Sequence, residues 1–257
     1  MRIGRAETAD GLAWVLAEGR EIRRLSADPF SGSITPGAVV GSEASCRPAP
    51  PVTPSKVVCV GRNYVAHAAE HGADVPSEPL LFLKPPSAVI GQGVEIVLPA
   101  LSQQIEHEAE LGLVIGRQCR SVAPEHAWQH VLGVTCANDV TARDLQRSDA
   151  QWTRGKGFDT FCPLGPWIVT GLSEDEVGDL SLSCTVNGEV RQLARTSQMV
   201  FPPAALIAFI TQVMTLEPGD VILTGTPAGV SPLHAGDEVT VEIGKVGTLT
   251  NPVIATG

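Results

Sequence analysis

Aromatic residues are scarce in this chain: six Phe, four Trp and one Tyr make up 4% of its 257 residues. Stacking platforms for bases or sugar rings need more, which argues against a nucleic-acid surface and against a glycosidase built on paired carboxylates and aromatic walls. Basic charge is also short, with 18 Lys and Arg against 28 Asp and Glu and a formal net charge of −10. Displacing phosphate counterions takes clustered cations, so nucleic acid is excluded as a partner on charge as well. No apolar run approaches the roughly 18 residues of a membrane span. Residues 1–11 lack the apolar stretch of a secretory signal. A cytoplasmic protein with no membrane partner is the expectation. The six cysteines, at positions 46, 59, 119, 136, 162 and 184, never fall as C-x-x-C. Zinc and dithiol spacings are therefore absent, and reduced, buried thiols are expected.

What is present is a globular composition, 43% hydrophobic and 18% charged. "GLAWVLAEGREIRRL" reads as two strands around a turn at Glu18-Gly19-Arg20. "CRPAPPVTPS" then has the proline content of a linker. A small β-rich N-terminal domain over residues 1–50 and a larger domain over 51–257 follow from that break. From Lys56 onward, runs such as "KVVCVG", "AELGLVIG", "VILTG" and "EVTVEIG" have the texture of buried strands between Gly and Pro turns. Helices are few: "PEHAWQHVLG" (124–133) and "PPAALIAFITQVM" (202–214), each with proline near its start. Strands without regular βαβ alternation predict an α+β fold with a mixed sheet or roll.

"IEHEAELGLVIG", residues 105–116, places Glu106, Glu108 and Glu110 at alternate positions, and alternate residues of a strand share a face. Acids stacked about 7 Å apart repel, so this face is either wet, as on a solvated edge strand, or meets a cation. "CANDVTARDLQ" (136–146) adds Asp139, with Arg143, Asp144 and Gln146 close behind. Carboxylates from two segments, without Cys or a His pair, form a hard-oxygen set suited to Mg²⁺ or Mn²⁺, with Ca²⁺ as a crystal stand-in.

"VGRNYVAHAAEHG" (60–72) ends a strand at Gly61 and runs into a short helix that Asn63 can cap and Gly72 can terminate. His67 and Glu70, at i and i+3, suit a base and its orienter, although such a pair on an exposed helix is also an ordinary solvated pair. "TRGKGFDT" offers Lys156 between two glycines, and "LTGTPAGV" is a loop straight after a strand. Both suit close approach to an anionic ligand, and the second equally suits an ordinary turn.

Together, "VCVGRNYVAHAAEHG", "EPLLFLKPPSAVIG", "EHEAELGLVIG", "NDVTARDLQ", "KGFDTFCPLGPW", "VNGEVRQ" and "TLEPGDVILTGTPAGV" resemble the fumarylacetoacetate hydrolase superfamily, in family order from about residue 55 to the end. The resemblance implies a mixed β-roll, a homodimer and a divalent metal on Glu108, Glu110 and Asp139, leaving Glu106 as a surplus acid. It implies a catalytic dyad of His67 and Glu70, a role for Lys156 in catalysis, and substrate contacts from Arg62, Lys84, Arg143, Gln146 and Thr226. One departure matters: long fumarylacetoacetases carry a large N-terminal domain, whereas here the core starts near residue 50. The chain therefore resembles the short bacterial branch, with fumarylacetoacetate itself set aside as substrate.

That branch acts on 2-oxo, 2,4-dioxo or 2-hydroxy-dienoic dicarboxylic acids in the breakdown of aromatic compounds. The expected chemistry is C–C hydrolysis or 2-hydroxyhepta-2,4-diene-1,7-dioate isomerisation through a metal-chelated enolate, with Lys156 and Arg143 holding substrate carboxylates. Oxaloacetate decarboxylation is the alternative reaction, and a non-catalytic, metal-stabilised member of the superfamily the alternative of another class. "EHGADVPSEP", just after the dyad, has the composition of a lid expected to order over bound ligand.

Overall fold

The computed structural model describes residues 1–70 and 72–256. A twelve-stranded sheet dominates, and its central strand is Ala109–Ile115, in which every residue is buried. Antiparallel pairing with Val131–Asn138 on one side and Val221–Leu223 on the other supplies its backbone hydrogen bonds. Period-2 alternation sends Leu111, Leu113 and Ile115 into the larger core cluster and Val114 into a second cluster on the opposite face. Burying a leucine side chain such as Leu111 or Leu113 contributes about 1.5–3 kcal/mol.

A five-stranded sheet, running Glu189–Arg195, Ser181–Val186, Glu238–Ile243, Gly247–Ala255 and Ile96–Leu98, supplies Leu182, Val241 and Leu249 to that larger cluster. The helix Pro203–Val213 starts on proline, as expected, and adds Leu206, Ile207 and Ile210. This is the mixed, sheet-dominated α+β architecture that the strand pattern predicts.

Two strands run parallel toward one side of the large sheet, Val57–Gly61 and Val221–Leu223, with Leu80–Lys84 beyond them at its edge. Fully buried Asp220 staples their starts, accepting from the backbone N–H of Ser55 and Lys56 at 3.1 Å each and from Lys56 Nζ at 2.5 Å. Both strands therefore end side by side, and the loops that follow, "RNY" and "TGTPAGV", emerge together. The central strand begins at that same end, with Ala109 opposite Asn138. Sheet register thus gathers the motif-bearing segments at one edge.

The N-terminal strands Arg2–Thr8, Gly11–Glu18, Glu21–Leu25 and Pro36–Ser42 form a meander that joins the large sheet where Arg2 and Ile3 pair with Val169 and Ile168. The turn at Gly19 has φ +61°, a conformation open to glycine. One helix is shorter than its sequence suggests. Residues 124–133 form a helical turn, Pro124–Ala127, and a 3-10 turn, Trp128–His130, before Val131 enters a strand. Pairing of Val131 and Gly133 with the central strand outweighs local helix preference there.

All six cysteines are buried and unbridged, and burial pushes the thiols of Cys136, Cys162 and Cys184 up to about 12. Among the described residues no helix is long and apolar enough to cross a membrane. In the lid-like stretch 70–79, His71 lies outside the described residues, and residues 72–79 carry no helix or strand.

Candidate active site

The acids of "EHEAE" are not on a solvated edge strand: Glu106 and Glu108 are 4% exposed and Glu110 is 1% exposed. Nor do they share one continuous strand. The pair Ile105–Glu106 bonds to Thr141–Ala142, the chain breaks at His107 and Glu108, and the central strand starts at Ala109. The break is held by Asn138, whose side chain accepts from Glu108 N–H at 2.9 Å, and by Asp139 N–H, which donates to Glu108 O at 2.8 Å. Carboxylate oxygens of Glu108, Glu110 and Asp139 consequently lie within 4.8 Å of one another. Glu106 stands outside this group and accepts from Arg143 Nε at 2.7 Å.

Three buried cations face the acids. Lys156 Nζ donates to Glu108 at 2.8 Å and to Asp139 at 2.7 Å, and sits 4.9 Å from the centre of the Phe82 ring. Lys84 Nζ donates to the other Asp139 oxygen at 2.5 Å and to Val140 O at 3.1 Å. Arg143 donates to Glu106, to Glu108 and, at 2.5 Å, to Gln146 Oε1. Burial opposes ionisation of Glu108, but Lys156 and Arg143 more than offset it and hold the carboxyl well below its usual range. Glu110 goes the other way: burial, with Asp139 and Glu108 as neighbours, pushes its carboxyl well up.

His67 lies on the short helix Val65–Glu70, 6% exposed, with Nδ1 3.5 Å from Glu70 Oε2. Burial lowers its pKa below the ordinary histidine value, so the imidazole is neutral and basic at neutral pH. Gly72 ends the helix at φ +62°, as expected. Asn63 is not its cap. The Asn63 carboxamide donates to Phe201 O and Thr224 O and accepts from Phe201 N–H, at 2.7–3.0 Å. Tertiary bonds have taken a side chain that local sequence assigns to the helix.

The "TGTPAGV" loop touches both the acid group and the His67–Glu70 pair, at Glu110 and Glu70. Gly225 N–H donates to Glu110 at 2.6 Å, Thr226 lines the cavity, and Gly229 N–H donates to Glu70 at 3.1 and 3.3 Å. Gly229 has φ +101°, and a Cβ there would stand 2.1 Å from Arg191 O, so only glycine fits. Gln192, fully buried, fastens the loop. Its Nε2 donates to Thr226 Oγ1 and Pro227 O, and its Oε1 accepts from Ala109 N–H, 3.1 Å from His107 Nδ1. Gln192→Leu strands these buried groups, each at about 1–3 kcal/mol. The expected result is a clear fall in the urea midpoint at unchanged slope, and an unshifted midpoint would contradict the network.

A cavity of about 470 Å³ opens onto the acids, His67, Glu70, Arg62, Arg143, Gln146, Lys156 and Thr226, a volume that suits a small-molecule ligand. Lys84, grouped with the substrate contacts by resemblance, is 1% exposed and stands behind Asp139, away from the cavity lining. Sequence reading passed over Arg147, Phe82, Trp152 and Asp149, which also line it. Arg147 was findable, being i+4 from Arg143.

The acid set suits a hard divalent cation. Its donors are oxygens, they are buried, and they converge within 4.8 Å. The family description "Fumarylacetoacetate (FAA) hydrolase C-terminal" matches residues 56–254. The chain belongs to the fumarylacetoacetate hydrolase family. A second description, "Rv2993c-like, N-terminal", matches residues 1–40. Protein Rv2993c of Mycobacterium tuberculosis is 48% identical over 264 residues, covering 100% of this chain and 99% of that protein. The human protein named oxaloacetate tautomerase FAHD2A, mitochondrial, is 48% identical over 215 residues, 80% of this chain and 68% of that one. A crystal structure named 2-hydroxyhepta-2,4-diene-1,7-dioate isomerase, from Mycobacterium marinum, superposes with a TM-score of 0.92 at 46% identity, covering 100% of this chain and 99% of that one. Members of this family are enzymes, and so is this chain.

Proposed function

We propose that the chain is a divalent-metal-dependent isomerase or tautomerase of 2-oxo dicarboxylic acids, of the kind formed in aromatic catabolism. The observation that carries this reading is a buried His67, its Nδ1 3.5 Å from Glu70 Oε2, on the same cavity as three convergent carboxylates. A Mg²⁺ or Mn²⁺ ion held by Glu108, Glu110 and Asp139 supplies a Lewis acid for negative charge on a keto oxygen. His67 takes the proton from the carbon beside the keto group, Glu70, pinned by Gly229 N–H, steadies the imidazolium that forms, and the imidazolium returns the proton to the enolate oxygen or to the far carbon of the conjugated chain. Lys156 and Lys84 keep the Asp139 carboxylate fixed during the transfer. Decarboxylation needs no base, which leaves the dyad without a purpose. Relatives named as an isomerase and a tautomerase support the choice. Assembly as a homodimer in the cytoplasm is part of the same reading, and light scattering tests the dimer.

The test follows oxaloacetate and 2-hydroxyhepta-2,4-dienedioate by ultraviolet absorbance with Mg²⁺ or Mn²⁺, and deuterium uptake at C3 by NMR. Metal-dependent exchange without carbon–carbon cleavage, abolished by EDTA, is the expected result. Pyruvate release keeping pace with the absorbance change would replace isomerisation by cleavage.

A further inference from the structure

Four cations line the cavity, and they fall into two tiers. Lys156 and Arg143 form the inner tier, 2% and 3% exposed, and each already faces two carboxylates: Glu108 and Asp139 for Lys156, Glu106 and Glu108 for Arg143. Arg62, half-buried, and Arg147, exposed, form the outer tier. Among the described residues the Arg62 guanidinium makes no hydrogen bond or ion pair. Among the described residues Arg147 bonds, through Nη1, to the neutral Gln104 Oε1 at 3.2 Å and to no acid. No ion pair joins this pair to a lining acid among the described residues: Asp149 pairs with Arg154 at 2.6 and 2.8 Å, and Glu70 accepts from Gly229 N–H and stands 3.5 Å from His67.

Both arginines are placed by the fold. Arg147 follows Gln146 on the helix Arg143–Ser148, one turn beyond Arg143, so residues 143, 146 and 147 share the cavity-facing side. Arg62 has φ +58°, a backbone conformation that residues with side chains disfavour. It is held there between the strand end at Gly61 and Asn63, whose carboxamide is locked to Phe201 and Thr224.

We propose that Arg62 and Arg147 receive the second carboxylate of the substrate, so that the cavity selects 2-oxo dicarboxylates over 2-oxo monocarboxylates of the same length. The inference rests on the 2-oxo acid reading above and deepens it. A cation flanked by two carboxylates attracts a further anion weakly, whereas an unpartnered guanidinium offers a fork of donors matched to a carboxylate. Sequence reasoning gave the substrate carboxylates to Lys156 and Arg143. The ion pairs of the inner tier transfer the distal one to the mouth of the cavity. Phe82 and Trp152, packed edge to face with ring centres 5.2 Å apart, supply the apolar wall for the carbon chain.

The experiment is calorimetric titration of the Mn²⁺-loaded full chain with 2-oxoadipate and with 2-oxohexanoate, which share a carbon chain and differ in ending with a carboxylate or a methyl group. The wild type binds 2-oxoadipate about tenfold or more tightly. The Arg62→Gln/Arg147→Gln double variant loses about tenfold for 2-oxoadipate and less than about threefold for 2-oxohexanoate, and Arg143→Gln weakens both acids alike. Absence of a preference in the wild type, its survival in the double variant, or binding of neither acid overturns the proposal. Deuterium exchange at C3 of both acids, run in parallel, reports on the proton-transfer reading separately: exchange without a binding preference removes this inference alone, and preference without exchange removes the reaction.

Discussion

Asp139→Asn abolishes turnover, by on the order of a thousandfold or more, whichever 2-oxo acid is supplied. Asp139 is fully buried, and both of its oxygens are engaged, one by Lys84 and the other by Lys156. An amide keeps one acceptor and turns an NH2 group toward an ammonium, so one buried lysine loses its counter-charge. Breaking a buried pair in this way costs about 3–5 kcal/mol. The variant therefore loses stability as well as activity, which by itself would not separate ligand loss from misfolding. Glu110→Gln separates them. Burial beside Asp139 and Glu108 already favours the neutral Glu110 side chain, and glutamine keeps an acceptor for Gly225 N–H. Its thermal midpoint without metal should match the wild type while Mn²⁺ affinity, read by electron paramagnetic resonance, falls sharply. Wild-type turnover by either variant after metal removal would overturn the metal site.

His67→Gln lowers kcat for proton exchange by about 10²–10⁴-fold, and Glu70→Gln by less, because it removes the orienter and leaves the base. Burial lowers the His67 pKa, so the neutral, working form extends to more acid pH than for an ordinary histidine. The sign follows: activity is present above the His67 pKa and is lost as pH falls through it, placing the acid limb of the kcat/KM profile below 6.5. Glu70 raises that pKa, so Glu70→Gln shifts the limb to still lower pH. Any decarboxylation of oxaloacetate by the same protein should be far less sensitive to His67→Gln. Equal loss of exchange and decarboxylation would refute the role given to His67.

Much of the site was legible because its parts are short local patterns. The spacing of Glu108 and Glu110, the i, i+3 relation of His67 and Glu70 and the glycines of "TGTPAGV" each constrain a few neighbouring residues. The three acids of "EHEAE" looked equivalent along the chain, and the third dimension distinguishes them. A break at His107 and Glu108 puts Glu106 on Arg143 and brings Glu108 and Glu110 to Asp139. Asn63 fits a helix cap by local rules, but Phe201 and Thr224, more than a hundred residues away, outcompete the helix end. Gln192 stands in a quoted motif, "VNGEVRQ", yet nothing in that string says that its carboxamide reaches Thr226 and Pro227.

By itself the sequence determined the composition of the site and its family: an oxygen-only acid set, a histidine with a carboxylate one turn away, and a strand-rich core interrupted by few helices. These follow from residue type and periodicity, which act over a few bonds. Tertiary structure alone decided which charges cancel. Lys84, Lys156 and Arg143 are all cations on paper, yet sheet register buries each against carboxylates from other segments, while Arg62 and Arg147 line the cavity without an ion pair among the described residues. Electrostatic character depends on distances between residues far apart in the chain, and only folding sets those distances.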